Sequence, residues 1–125
     1  MISVATDVLR EIVIDEDEKK QKALQFFSDG YTRIILSAMM ETPKTALQIA
    51  DETKIPLTTV YRKLHHLMEN NMIRISGQIA ENGKKNFLYK SKIKSFHVTF
   101  TKDKFAILVN ASGTCKFCLQ PHNQS

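Results

Sequence analysis

Only two cysteines occur in the 125 residues, Cys115 and Cys118, both close to the C-terminus. A pair three residues apart cannot form a framework that staples a fold. The core must therefore be held by buried apolar surface, and the chain is long enough for that. No apolar run approaches the roughly 20 residues needed to cross a bilayer. The opening stretch MISVATDVLREIVID has no basic start, no uninterrupted apolar segment and no small-residue cleavage site, unlike a secretory signal. The expected location is the cytoplasm. There is no glycine-rich phosphate loop and no nucleophile elbow. The carboxylates at 15–18 suit the start of a helix better than general acid catalysis. No enzyme is expected. Internal repeats and low-complexity tracts are also missing.

Acidic residues are scarce in one half. Residues 54–125 hold three Asp/Glu against twelve Lys/Arg, whereas residues 1–53 hold ten against six. A basic half is the electrostatic footprint of a polyanionic partner.

What is present is a run of helix signals followed by alternation. Val4, Val8, Leu9, Ile12 and Val13 fall near one helical face over residues 3–13, although the β-branched run Ile12-Val13-Ile14 also suits extended chain. Asp15 with Glu18 marks a second helix start, and Ser28-Asp29-Gly30 its end, with glycine available for a left-handed cap. Tyr31 to about Met40 carries Ile34, Ile35, Ala38 and Met39 at helical spacing, and Thr42-Pro43 breaks it. Thr45 and Gln48 form a capping-box pattern opening a helix from Ala46 to about Thr53. After the turn Lys54-Ile55-Pro56, a fifth helix runs from Pro56 to about Asn70, because proline is tolerated in a first turn.

The period then changes to two. Ile73, Ile75, Gly77 and Ile79 alternate with polar residues, Glu81-Asn82-Gly83-Lys84 marks a turn, and Phe87 and Tyr89 alternate again. A strict two-residue loop would set Phe87 opposite Gln78 and Ile79 opposite Asn86, so an odd-length loop or a bulge is expected at the tip. A second hairpin turns at Lys102-Asp103. It sets Phe100 opposite Phe105, Val98 opposite Ile107 and Phe96 opposite Val109, all on one face. That face must cover apolar surface on its own subunit or on a partner. The methionines Met39, Met40, Met68 and Met72 are expected as core filler.

Two short helices, a tight turn and a following β-hairpin form the layout of a winged helix-turn-helix. The expected fold class is α+β. A three-helix core plus β-hairpin wing occupies residues 31–91, with an N-terminal helical extension (1–30), a C-terminal β-hairpin (92–112) and a cysteine-containing tail (113–125). On a wheel of about 100° per residue, Leu57, Leu64, Leu67 and Met68 fall within about 80° of Val60 and face inward. Thr58, Arg62, His65, His66 and Glu69 face outward, with Thr59 at the edge. Threonine hydroxyls reach phosphates or base edges, and arginine brackets guanine through two hydrogen bonds. Thr58, Thr59 and Arg62 are the expected base readers. Lys44, Thr45, Tyr61, Lys63, His66 and the hairpin-tip residues Lys84 and Lys85 are the expected backbone contacts.

The stretch Ser28-Asp29-Gly30-Tyr31-Thr32-Arg33-Ile34-Ile35-Leu36 resembles the opening segment of ArsR-type winged-helix regulators. The stretch TALQIADETKIPLTTVYRKLHHLMENNMI, residues 45–73, is similar to that family's two motif helices and its passage into the wing. The resemblance spans roughly residues 24–90. It implies a dimeric, repressor-like regulator of double-stranded DNA, with the helix from Pro56 in the major groove. The cysteine cluster of the family's metal sensors has no counterpart in residues 45–53, so that sensing site is expected to be absent. A hairpin at 95–110 stands where many members carry a dimer-forming helix, which makes the N-terminal helices the expected homodimer contact.

Cys115-x-x-Cys118 with His122 has a spacing that zinc can use, but a closed structural site needs four ligands. No cofactor is expected, and reduced thiols are the favoured state of the pair. Two alternatives to a DNA-binding regulator stay open. One is a winged-helix adaptor that binds protein within a transcription complex. The other is a redox- or metal-responsive sensor using Cys115 and Cys118.

Overall fold

In the computed structural model, residues 9–81 and 83–112 are described. They form an α+β fold with four helices and two antiparallel sheets. The order is β1 (Leu9–Ile14), α1 (Asp17–Ser28), α2 (Gly30–Ala38), α3 (Ala46–Thr53), α4 (Leu57–Glu69), β2 (Ile73–Glu81), β3 (Lys84–Ser91), β4 (Ile93–Phe100) and β5 (Phe105–Ser112). β2 and β3 pair alone, and the other sheet runs β1-β5-β4. None of the described helices is long and apolar enough to cross a membrane.

Local chemistry sets the helix ends. Asp29 alone separates α1 from α2, with φ −80° and ψ 119°. Its carboxylate accepts from the Thr32 N–H at 3.3 Å and the Thr32 hydroxyl at 2.7 Å, which caps α2. Gly30 does not take the left-handed cap expected of it. It is the first residue of α2, and among the described glycines only Gly83 has a positive φ. At α3 the expected capping box is in place. The Thr45 hydroxyl accepts from Gln48 N–H at 3.1 Å, and the Gln48 side chain accepts from Thr45 N–H at 2.9 Å. Two N–H groups that the helix cannot pair are thereby satisfied. Thr45→Ala is expected to cost about 1 kcal/mol, seen as a lower urea midpoint with an unchanged slope.

α4 ends in a Schellman motif. Asn71 takes the left-handed conformation (φ 59°), its N–H donates to the Met68 carbonyl, and Met72 N–H reaches back to Leu67. Val60, Leu64 and Leu67 are buried, as the wheel predicts. Leu57 and Met68, also expected inside, lie at the rim with 36% and 37% exposure. Met39 and Met72 are fully buried filler.

The N-terminal piece departs from expectation. Residues 9–14 are strand, and residues 3–8 lie outside the described region. β1 pairs antiparallel with β5, from Leu9 opposite Ser112 to Ile14 opposite Ile107. The β-branched Ile12-Val13-Ile14 suits a pleated surface, with Ile12 and Ile14 turned inward and Val13 outward. Its partner lies about a hundred residues away, so no local pattern announces it. The β4–β5 register matches the expected pairs Phe100/Phe105, Val98/Ile107 and Phe96/Val109. The face formed by these pairs is covered only in part: Ile107 and Val109 are buried and Phe96 and Phe105 pack on the core, whereas Val98 and Phe100, expected on the same covering face, are 45% and 82% exposed. Phe27 stacks on Phe96 at 4.0 Å between centroids, and the Lys20 ammonium donates to the Phe105 carbonyl at 2.7 Å.

The β2–β3 hairpin also differs from the sequence expectation. Glu81 pairs with Lys84, so the loop has two residues, and Gln78 does face Phe87. The bulge lies lower, between Ile75 and Gly77. The mismatch is tolerable because Gln78 and Phe87 are both exposed, and burial selects no register there. Below the bulge Ile73 and Ser91 are both about 1% exposed, and there the register is enforced.

Candidate nucleic-acid interface

The outward side of α4 divides into three strips. One flank meets α1 and α2. There the Lys63 ammonium holds the Asp29 carboxylate at 2.6 Å, and the His66 ring stacks on Phe26 at 4.8 Å. The opposite flank meets the β2–β3 hairpin. Tyr61 shares one pocket with Ala46, Lys85, Asn86, Phe87 and Tyr89, which sets Lys85 beside the middle of α4. Between the flanks runs an exposed ridge of Thr58, Arg62, His65 and Glu69. The Arg62 side chain makes no hydrogen bond or ion pair among the described residues. His65 and Glu69 pair with each other at 3.3 Å. The acidic residue lies near the C-terminal end, so the first two turns are the part of the ridge suited to a polyanion.

The sequence-derived residues therefore separate. Thr58, Arg62, Tyr61, Lys84 and Lys85 are exposed, and Thr59 is half-buried at the ridge's edge. Thr45 is 1% exposed and its hydroxyl is engaged in the capping box, so its side chain is a helix cap. Lys63 and His66 belong to the α1-facing flank. Lys44 donates to Glu52 at 2.6 Å, while its backbone bridges Tyr89 in both directions at 3.0 and 2.7 Å. That bridge fixes the hairpin against the start of α3.

Part of the basic excess is structural. The Lys90 ammonium, on a residue only 8% exposed, donates to the carbonyls of Met40 and Glu41, and Lys94 donates to Met40 as well. These cations sit at the negative end of α2. Lys92 donates to Asn71. Lys102 and Lys104 lie in the β4–β5 turn. On α4, in the turn before it and at the tip of the β2–β3 hairpin the exposed cations are Arg62, Lys54, Lys84 and Lys85, of which Lys54 was not expected from the sequence. Lys54 adopts a left-handed φ of 65° in the turn before α4, four residues ahead of Thr58. Its place in that turn was the available signal.

Asp29 is the titrating group with the clearest cause. The Lys63 hydrogen bond, then the Thr32 hydroxyl, hold its carboxyl below the ordinary 3.8. A depressed folded-state pKa contributes stability that is complete above the unfolded value and fades as pH falls through the folded one. The destabilisation caused by Asp29→Ala is therefore expected to shrink between pH 5 and pH 3 in parallel urea titrations. Tyr89 shifts the other way, raised by burial and then by Tyr61.

Among the described residues no group of three or more His, Cys, Asp and Glu side chains could hold a metal. Cys115, Cys118 and His122 lie outside the described residues. Comparison with protein families, curated proteins and solved structures finds no match to this chain.

Proposed function

We propose that residues 31–91 act as a winged helix-turn-helix and that the protein is a non-enzymatic, sequence-specific regulator of double-stranded DNA, repressor-like and homodimeric. The observation that carries this reading is the unpaired ridge of Thr58 and Arg62 on a helix whose other sides are anchored. Docked helices that leave a polar strip free suit insertion into a major groove about 12 Å wide. Lys54, Lys84 and Lys85 flank that strip and supply phosphate contacts.

Hydroxyl-radical footprinting on a duplex selected from a random pool tests it. Two protected half-sites roughly 10 base pairs apart are expected for a symmetric dimer, and no protection would sink the reading. Lys84→Ala is expected to weaken selected and scrambled duplexes alike and to lower the salt slope by about 1.

One observation favours a second reading, a protein-binding adaptor. Tyr61, Met68, Ile75 and Phe87 are each between a third and a half exposed, and they line the groove between α4 and the hairpin. An adaptor would show little affinity for DNA at any salt concentration.

A further inference from the structure

We propose that the cleft between α1 and the anchored flank of α4 binds a small aromatic carboxylate, and that its occupation changes DNA affinity. The regulatory half rests on the DNA-binding reading above, and the binding half does not.

The cleft measures about 410 Å³, within the size range of small-molecule sites. One wall is flat. Phe26 and His66 lie nearly parallel, 24° apart, with Phe26 buried and the imidazole exposed. A ligand ring can extend that stack. The rest of the lining is rich in donors. Lys22, Gln25 and Lys63 border it, with Asp29 as the single carboxylate, so the lining carries one surplus cation when His66 is neutral.

Several of these donors are unused. The Lys22 ammonium, the Gln25 side-chain amide and the His66 ring nitrogens have no hydrogen-bond partner among the described residues. Lys63 is already oriented. Its ammonium holds Asp29, and Asp29 is itself fixed by capping Thr32. An ammonium has three donors, so a ligand carboxylate can share Lys63 and take Lys22 without breaking that pair. An anion without a ring would meet only solvated ammonium groups, where pairing contributes little. A ring without charge would leave the donors unmatched. The site therefore selects both features in one molecule.

Its location supplies the coupling. Lys63 and His66 lie on α4, immediately after and one turn beyond Arg62, so a ligand wedged there bears on the helix that carries the ridge. Coupling between two binding events is reciprocal.

Calorimetric titration of the full-length protein with benzoate, acetate and benzyl alcohol tests the binding half. Benzoate is expected to bind one-to-one and at least tenfold tighter than either control. Lys22→Ala, which leaves the Lys63–Asp29 pair intact, is expected to weaken it at least threefold, and Lys63→Gln further. Benzoate binding no tighter than acetate, or unchanged by both substitutions, overturns the site. Saturating benzoate is then expected to shift DNA affinity at least threefold, with DNA shifting benzoate affinity by the same factor. Benzoate binding with no such shift overturns the regulatory half alone. Absence of DNA binding both with and without benzoate would instead count against the DNA reading.

Discussion

Leu64→Ala is expected to destabilise the protein by about 2–5 kcal/mol, the range for emptying a buried leucine site. Leu64 is 1% exposed in the centre of the face that α4 turns to the core, one turn from fully buried Val60 and Leu67. Deletion removes its transfer free energy and leaves a void whose walls come from several elements and cannot all collapse into it. A domain of this size has roughly 5–15 kcal/mol of total stability, so a large part would go. Urea unfolding is the readout, with a lower midpoint at unchanged slope. Met68→Ala, on the same helix but 37% exposed, is the control and is expected to cost much less. Similar losses at the two positions would mean that α4 is not docked by the face assigned to it.

Arg62→Ala carries the second large effect, and it should appear in binding alone. The Arg62 side chain is exposed and has no hydrogen-bond or ion-pair partner among the described residues, so its loss is expected to leave the urea midpoint almost unchanged. On the selected duplex, loss of a bidentate contact to a base is expected to cost roughly 1–3 kcal/mol, or about 5- to 150-fold in Kd. On scrambled duplex the loss should be limited to one phosphate-range charge. Gel-shift titrations of both duplexes at one salt concentration give the comparison. Equal weakening on the two would reassign Arg62 from base reading to backbone contact.

The parts of this fold that the sequence shows are those set by near neighbours. Thr45 and Gln48 place the start of α3 because a capping box lies within four residues. The spacing of Val60, Leu64 and Leu67 orients α4. The turn at Lys102-Asp103 sets the β4–β5 register once the apolar residues are paired. Long-range pairing is less legible. β1 looks half helical until β5 is beside it, since Val8, Leu9 and Ile12 satisfy a helical period equally well. The β2–β3 bulge was expected at the tip because the pairing there is poor, yet only the buried base of the hairpin enforces a register.

Among the candidate contacts, Thr58, Arg62, Lys84 and Lys85 could be chosen from the sequence because helix phase and turn position expose them. Lys63, His66 and Thr45 could not be sorted from them. Their alternative partners, Asp29, Phe26 and Gln48, become apparent only when the helices are packed or the cap geometry is known. The same holds for the charge asymmetry. Lys90 and Lys94 count toward a basic half in the sequence, while in the fold they close the carbonyl end of α2.

A salt titration of duplex affinity for the intact protein bears most directly on the free face of α4. For a duplex enriched from a random pool and for its scrambled counterpart, affinity is measured between 50 and 200 mM salt, a range over which phosphate-contacting proteins weaken by orders of magnitude. The expected result is a steep fall on both duplexes, with a preference of roughly a thousandfold or more for the enriched one. No enrichment, together with weak affinity that ignores salt, would contradict it and leave the apolar groove beside the hairpin as the working surface.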